Sequence, residues 1–366
     1  MQNKNLYVII GARPQFIKYA PLAAEIKKIS NINEIIIHTG QHYDKNMSSI
    51  FFNQLNIKDP DINLDINNVS RGEMVGEMIK KINIEFQKIK PDIVLLFGDT
   101  NSTLAGAVAA SSFDCKVIHV EAGLRSFNKS MPEEHNRIVA DHLSSILCVT
   151  SSEPKKNLKN EGFSESKIYM TGDIMLDNFK IVKNKILSAN MFKEMGLKKD
   201  SYVLATIHRQ ENTHDKNRLR SIFKTLNSIS NSNSPIVIPL HPATKSKLNQ
   251  IKVDTSNVVL CEPLDYISFL SLVSDSSYVI TDSGGLQKEA YYLKKKSIVL
   301  RTETEWVELV DSKESYLVNP ENIEGLYKAI HLMKNKNIDN RKIYGDGNAA
   351  KLIVNIIQSI LDSHKS

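Results

Sequence analysis

Short runs of apolar, largely β-branched residues alternate along the chain with longer stretches in which apolar side chains recur every three or four positions. The short runs predict strands over 6–10, 34–38, 92–97, 116–121, 146–150 and 167–171. A second series follows over 202–208, 235–241, 258–262, 278–283, 297–301 and 315–318. Most of these runs are apolar throughout, the pattern of strands buried on both faces of a parallel sheet. Between them, 16–29, 73–89 and 218–229 read as amphipathic helices. Strand–helix alternation from end to end predicts an α/β fold.

The series breaks across 177–201, a polar, lysine-rich stretch with a helical pattern. A junction near residue 175 follows from that break. It gives a first half of 1–174, completed by a C-terminal helix at 349–366, and a second half of 175–348. A chain of 366 residues is long enough for about two such domains, at roughly 150 residues each. Ligands of such folds bind beyond the carboxyl ends of the strands, here facing a cleft between the halves.

Composition narrows this only slightly. With 41% hydrophobic and 24% charged residues, the chain is neither disordered nor a coiled coil. The 47 Lys and Arg against 41 Asp and Glu give +6, which permits an anionic ligand without demanding nucleic acid. The charge is dispersed and lacks aromatic interleaving, so no nucleic-acid partner is expected. Cys115, Cys148 and Cys261 have no metal-ligand or CxxC spacing; Cys148 and Cys261 lie in apolar runs and read as small core hydrophobes, which points to a reducing cytoplasm. The apolar stretch at the N-terminus is too short for a signal-peptide core, and no run reaches the roughly 18 apolar residues of a membrane span.

The informative polar residues sit where predicted strands end. The first strand runs into Gly11-Ala12-Arg13-Pro14-Gln15, with Lys18 one turn into the helix. A glycine turn and a helix N-terminus suit an anion, and Arg13 and Lys18 add cations; the same string also reads as a plain βα turn. Neither GxGxxG nor GxxxxGK[ST] occurs here, which disfavours a dinucleotide fingerprint and a P-loop. The third strand ends in Gly98-Asp99-Thr100-Asn101, where Asp99 is either a functional acid or a helix cap. The fourth ends at Glu121, followed by Ala122-Gly123-Leu124-Arg125; Arg125 is one available partner for that acid. Pro132-Glu133-Glu134 opens a helix whose dipole favours acids in its first turn. Asp99, Glu121 and Glu133 are expected to converge, and clustered carboxylates can act as bases or acids near neutral pH.

In the second half, His208-Arg209 and His241 lie at corresponding strand ends. Thr281-Asp282-Ser283-Gly284-Gly285 opens a helix with exposed backbone N–H groups, a phosphate-binding arrangement. Glu289, one turn in, is placed to accept hydrogen bonds from a ribose diol, or is a surface charge. A basic turn, an Arg/His pair and a Ser-Gly-Gly helix start fit a diphosphate, with the carboxylates facing whatever it carries.

Taken in order, these strings resemble the non-hydrolysing UDP-N-acetylglucosamine 2-epimerases. The matching segments are Gly11 to Lys18, His38-Thr39-Gly40-Gln41-His42, Gly98 to Thr103, His119 to Arg125, Pro132 to Arg137, His208 to Asn212 and Ser283 to Gln287. The resemblance implies a glycosyltransferase-B-like fold of two Rossmann-like domains, a homodimer, no cofactor and no obligatory metal. It implies removal of the C2 proton, loss of UDP from C1, a bound 2-acetamidoglucal, and re-addition of UDP with C2 inverted, in the making of surface polysaccharide precursors. By the same resemblance Asp99, Glu121 and Glu133 carry the acid–base work and His208 assists the departing diphosphate. Arg13, Ser283, Gly284 and Gly285 would hold phosphates, Glu289 the ribose and Phe269 the uracil. Lys18 and Arg137 support the site, and His241 belongs to the substrate-binding set.

Several positions depart from the commonest family pattern. Gly-Thr-Arg-Pro-Glu becomes Gly11-Ala12-Arg13-Pro14-Gln15. A phosphate-contacting arginine is replaced by Trp306, the only tryptophan, within Arg301-Thr302-Glu303-Thr304-Glu305-Trp306-Val307-Glu308. Tyr43-Asp44 follows Gln41-His42 in the loop that, with Arg209 and His241, forms an allosteric substrate site in some bacterial members. The first two departures are similar to the branch that epimerises UDP-2,3-diacetamido-2,3-dideoxyglucuronate, the alternative substrate. More distant alternatives are a glycosyltransferase of the same fold, a hydrolysing epimerase and a catalytically silent nucleotide-sugar sensor. The last would be expected to lose Asp99, Glu121 or Glu133, and all are present.

Overall fold

The computed structural model describes residues 3–40, 57–67, 69–240, 242–333 and 342–363. The chain divides into two compact units, Met1–Lys180 with Lys342–Ser366, and Ile181–Arg341. Each is a parallel sheet with helices between most of its successive strands, the doubly wound arrangement of a Rossmann-like domain.

The first sheet holds β1 (Lys4–Ile10), β2 (Ile32–His38), β3 (Ile62–Asn63), β4 (Ile93–Phe97), β5 (Lys116–Val120), β6 (Ile146–Val149) and β7 (Ile168–Met170), in the order β3-β2-β1-β4-β5-β6-β7. The continuous apolar runs are explained by burial on both faces. Leu6, Tyr7, Val8, Ile9 and Ile10 of β1 are all buried, as is every residue of β4. β3 has only two residues, too few to leave a pattern in the sequence.

The second sheet holds β8 (Val203–Thr206), β9 (Ile236–Pro239), β10 (Val259–Cys261), β11 (Tyr278–Thr281), β12 (Ser297–Leu300) and β13 (Ser315–Val318), in the order β10-β9-β8-β11-β12-β13. The helix Lys216–Ile229 covers it with Leu219, Ile222, Phe223 and Leu226, an i, i+3, i+4, i+7 stripe. Asp215 caps that helix, accepting from the amides of Asn217 (2.8 Å) and Arg218 (3.1 Å).

The C-terminal helix Ala349–Ser363 returns to the first unit and packs on the helix Arg13–Ile26. Its first turn donates two amides to Asp177, from Ala349 (3.1 Å) and Ala350 (2.9 Å). Among the described residues no helix is long and apolar enough to cross a membrane. Cys148 is buried in β6, but Cys115 and Cys261 are only half-buried, so the reading of Cys261 as core does not hold. It closes β10, an edge strand with a neighbour on one side only.

In both sheets the strand order reverses about the first strand of the unit, between β1 and β4 and between β8 and β11. A crevice opens at such a reversal, beyond the carboxyl ends of the strands. Register then decides which residues meet there. Phe97 pairs with Val120, and Thr281 with Thr206. The next residues out are therefore Gly98-Asp99 beside Glu121, and Asp282-Ser283 beside Ile207-His208.

The turn after β4 is drawn close to the sheet by its helix, Asn101–Ala110, whose inner face is small. A Cβ on Gly106 would lie 2.7 Å from Leu96 Cδ2 and 3.3 Å from Ile9 Cγ1. Gly106→Val should therefore overpack this contact and lower unfolding stability by about 1–3 kcal/mol in a denaturant titration. An unchanged midpoint would show that the helix is free to lift.

Candidate active site

The turn after β1 is built around two close approaches. A Cβ on Gly11 would fall 1.9 Å from Thr39 Oγ1 and 2.4 Å from Ser102 Oγ, so only glycine fits. Gln15 Oε1 accepts from the amides of Gly11 (2.8 Å) and Ala12 (3.1 Å). Its Nε2 donates to the Phe97 carbonyl (3.2 Å) and Thr103 Oγ1 (3.1 Å). One amide side chain thus ties the first turn to the end of β4, which the glutamate of the commoner pattern could do only in its protonated form. Arg13 is half-buried on the same turn.

Beyond β4 and β5 the acids are paired with cations. Glu121 is buried and its Oε1 meets Lys18 Nζ at 2.5 Å. Glycine at 98, with φ +59°, leaves room for that pair: a Cβ there would lie 3.0 Å from Lys18 Nζ and 3.4 Å from Glu121 Oε1. Glu121 itself has φ +71°, a left-handed conformation that costs a residue with a Cβ about 1–2 kcal/mol. The amides of Glu121 and Ala122 both donate to the Cys148 carbonyl, at 3.1 and 3.0 Å, and help to hold it.

Asp99, 30% exposed, accepts from Arg137 Nη2 (2.6 Å). The other guanidinium arm binds Glu134 Oε2 (2.7 Å). Glu134 is buried and also accepts the Ser126 amide and hydroxyl (2.9 Å each) and the Phe127 amide (2.9 Å). Burial alone would raise its pKa, but those hydrogen bonds and the Arg137 charge outweigh it and hold the carboxyl below its ordinary value. Glu133 stands exposed on the first turn of the helix Pro132–Leu143. The acid drawn into the Asp99–Arg137 cluster is thus its neighbour Glu134, which the i, i+3 spacing to Arg137 could have indicated. Arg125, offered as a partner of Glu121, instead pairs with Asp141 (2.8 Å) and Glu161 (2.7 Å).

In the second unit the organising group is Asp282, fully buried. It accepts the amides of His208 (3.0 Å) and Arg209 (3.0 Å), Asn212 Nδ2 (3.0 Å) and the His208 ring at Nδ1 (3.1 Å). Burial works against its charge, but the His208 hydrogen bond and charge, with the Asn212 and Arg209 contacts, hold its pKa below the ordinary value. His208 is 58% exposed, and anchoring Nδ1 leaves Nε2 as the nitrogen available to a ligand.

Ser283 caps the helix Gly284–Tyr292, its Oγ accepting the Leu286 amide (3.4 Å). Gly284 and Gly285 leave the N-terminal turn open: a Cβ on Gly285 would meet nothing within 4 Å, and one on Gly284 nothing nearer than Trp306 Nε1 at 3.8 Å. Glu289, on the same helix, and Phe269, on the helix Tyr266–Asp275, are half-buried. Trp306 is buried with Lys288 Nζ 4.0 Å from its ring centroid, and Arg301 forks onto Glu305 (2.9 and 3.1 Å). His241 lies outside the described residues, as do Gln41, His42, Tyr43 and Asp44.

The first unit therefore carries two carboxylates at adjacent strand ends, each with its own cation. The second carries an Asp-anchored histidine at the strand end next to an open glycine-rich helix start. The first arrangement suits proton transfer and the second suits a phosphate group.

The sequence profile of the UDP-N-acetylglucosamine 2-epimerase family matches residues 24–358. The chain is 42% identical to the UDP-2,3-diacetamido-2,3-dideoxy-D-glucuronate 2-epimerase of Pseudomonas aeruginosa, over 97% of this chain and 99% of that protein. It is 40% identical to the UDP-N-acetylglucosamine 2-epimerase of Methanocaldococcus jannaschii, over 96% of this chain and 98% of that protein. A crystal structure of the Methanocaldococcus jannaschii UDP-GlcNAc 2-epimerase with UDP-GlcNAc and UDP superposes with a TM-score of 0.89 at 38% identity, covering 97% of this chain and 99% of that one. A glycosyltransferase from Rickettsia africae shares the fold at 15% identity, with a TM-score of 0.59 over 98% of this chain and 99% of that one.

Replacing Asp282 leaves buried donors without an acceptor, so Asp282→Asn should cost about 1–3 kcal/mol at pH 7. Because the native carboxyl has a lowered pKa, its contribution is complete above the unfolded value of about 3.9 and is lost as pH falls through the lower folded value. Thermal melts of both proteins should therefore differ most at neutral pH and converge in strong acid. A constant gap at every pH would contradict the assignment.

Proposed function

Because the chain belongs to the UDP-N-acetylglucosamine 2-epimerase family, it is an isomerase of the glycosyltransferase-B-like fold, and we propose that it interconverts UDP-N-acetylglucosamine and UDP-N-acetylmannosamine without hydrolysing them. The observation that carries this reading is Glu121. It is held in a left-handed conformation, buried against Lys18, one strand over from Asp99. Strain of that kind persists only where the surroundings impose it, and it marks functional positions.

In the proposed reaction one carboxylate takes the C2 proton. The C2–H electrons form the C1–C2 double bond, and the C1–O bond breaks with its electron pair leaving on UDP. Re-addition of UDP to C1, with a proton delivered to the opposite face of C2, completes the inversion. Asp99, Glu121 and Glu133 are the candidate acids and bases, and Lys18 and Arg137 fix their charge and direction. The C2 proton is a weak acid, so a positioned base is required. His208, Arg13 and the open turn Ser283-Gly284-Gly285 would bear the charge that develops on the diphosphate. Glu289 would read the ribose, Phe269 the uracil, and His241 would join the binding set. By the same family likeness we infer a homodimer. Its nucleotide-sugar substrate and free cysteines favour the cytoplasm.

A second reading, UDP-2,3-diacetamido-2,3-dideoxyglucuronate as substrate, is favoured by Trp306 standing where the commoner pattern has arginine. The similarity to the Pseudomonas aeruginosa protein points the same way.

Proton NMR in deuterated water tests both, with the two UDP-sugars in parallel tubes. UDP-N-acetylglucosamine should yield the manno epimer with deuterium at C2. Conversion of the diacetamido sugar alone would establish the second reading, and exchange in neither tube would reject both.

Glu121→Gln and Asp99→Asn should each lower turnover by about 10²–10⁴-fold while calorimetry shows UDP binding nearly unchanged. Weaker UDP binding with normal turnover would remove them from the acid–base role.

A further inference from the structure

We propose that Asp141 is a positioning residue for the acid–base chemistry, fixing the turns that carry Asp99 and Glu121 in one relation to each other. The proposal rests on the epimerase reading above.

Asp141 lies on the helix Pro132–Leu143 with no exposed surface. Its Oδ1 is 2.7 Å from His119 Nδ1, and His119 Nε2 is 2.7 Å from the Gly98 carbonyl. The ring of His119 thus bridges the Asp141 carboxylate and the Gly98 carbonyl. The second oxygen, Oδ2, accepts the Gly123 amide (3.1 Å) and Arg125 Nη1 (2.8 Å). The far edge of Arg125 forks onto Glu161, with Nε and Nη2 both at 2.7 Å.

The two ends of this carboxylate therefore reach the two turns that matter. Through His119 it holds Gly98, the residue before Asp99. Directly, it holds Gly123, two residues after Glu121. Gly98, Glu121 and Gly123 all have left-handed φ, at +59°, +71° and +78°. Only Glu121 among them carries a Cβ, so only it meets the steric cost of that conformation. Asp141 thus holds Gly98 on the neighbouring turn through His119, and Gly123 directly, two residues beyond the strained glutamate. Breaking one partner of such a buried network destabilises a fold, but stability alone does not call for it, since apolar side chains of the same volume commonly fill a core as well as an ion pair does. What apolar side chains cannot do is hold these two backbone groups at fixed hydrogen-bond distances.

The test compares wild type with Asp141→Asn and His119→Asn. The second variant can keep a donor toward Asp141 but leaves the Gly98 carbonyl unbonded. UDP-binding sites are counted by calorimetry, and kcat, KM and the rate of C2 deuterium wash-in are measured per site. Both variants should show kcat and wash-in reduced together by on the order of 10- to 100-fold, the effect of a misplaced reacting group, with KM and UDP affinity little changed. A normal kcat per UDP-binding site, or a raised KM at unchanged kcat, overturns the proposal. Failure of both variants to fold overturns it too, by assigning the pair to stability alone. If wild type shows no wash-in with either UDP-sugar, the epimerase reading falls first, and that result is distinct from every variant outcome.

Discussion

The register of β4 against β5 is the constraint from which the rest of the site follows. Phe97 pairs with Val120, so the chain leaves the sheet at Gly98 and Glu121 side by side. Two backbones turning at the same level leave little room between them. Gly98 has no side chain to place there, and Glu121 rotates into a left-handed conformation that brings its carboxylate to Lys18. A slip of one residue would turn every side chain of the strand to its other face and bring a different residue out beside Gly98. Close packing opposes that slip, because side chains of unequal size would have to exchange places in the buried core, so core packing and site geometry are the same requirement.

The second unit solves a matching problem with a different device. Its strands β8 and β11 end at the same level, Thr206 against Thr281, and their hydroxyls meet at 2.6 Å. One buried carboxylate, Asp282, then gathers the amides of the His208-Arg209 turn and the His208 ring. In the first unit a buried aspartate reaches its turns partly through a histidine; in the second the histidine is itself the presented group. Both units thus place their candidate side chains on turns tied to buried aspartates whose charge is satisfied by hydrogen bonds.

Most of the architecture was legible because parallel strands buried on both faces leave continuous apolar runs, and each run marks the turn where chemistry can sit. Asp99, Glu121, His208 and Ser283 could be singled out because a polar residue ending such a run is conspicuous. Expected strands overran the observed ones at Glu121 and Ser283 because those polar ends have already turned out of the sheet. β3 escaped notice because two residues carry no period. The Glu133–Glu134 pair was ambiguous for a different reason. Adjacent residues on a helix point about 100° apart, and only the position of Arg137 in space shows which acid enters the cluster. Asp282 and Asp141 looked unremarkable because their value lies in backbone amides distant in sequence, which no local pattern encodes.

The segment after β12 shows how a departure from the family pattern can be absorbed. Trp306 cannot supply the charge of the arginine it stands in for, and it is buried under Lys288. Its indole nitrogen nevertheless comes closest to the place where a side chain on Gly284 would begin. The glycine-rich turn therefore has a neutral ring beside it, while the guanidinium of Arg301 forks onto Glu305. Under the proposed function, less of the diphosphate charge is met at this point. More of it falls to the helix N-terminus, to His208 and to Arg13. By the family likeness this departure is shared with the diacetamido branch, so under the proposed function the only tryptophan in the chain marks the segment at which the two UDP-sugar readings part.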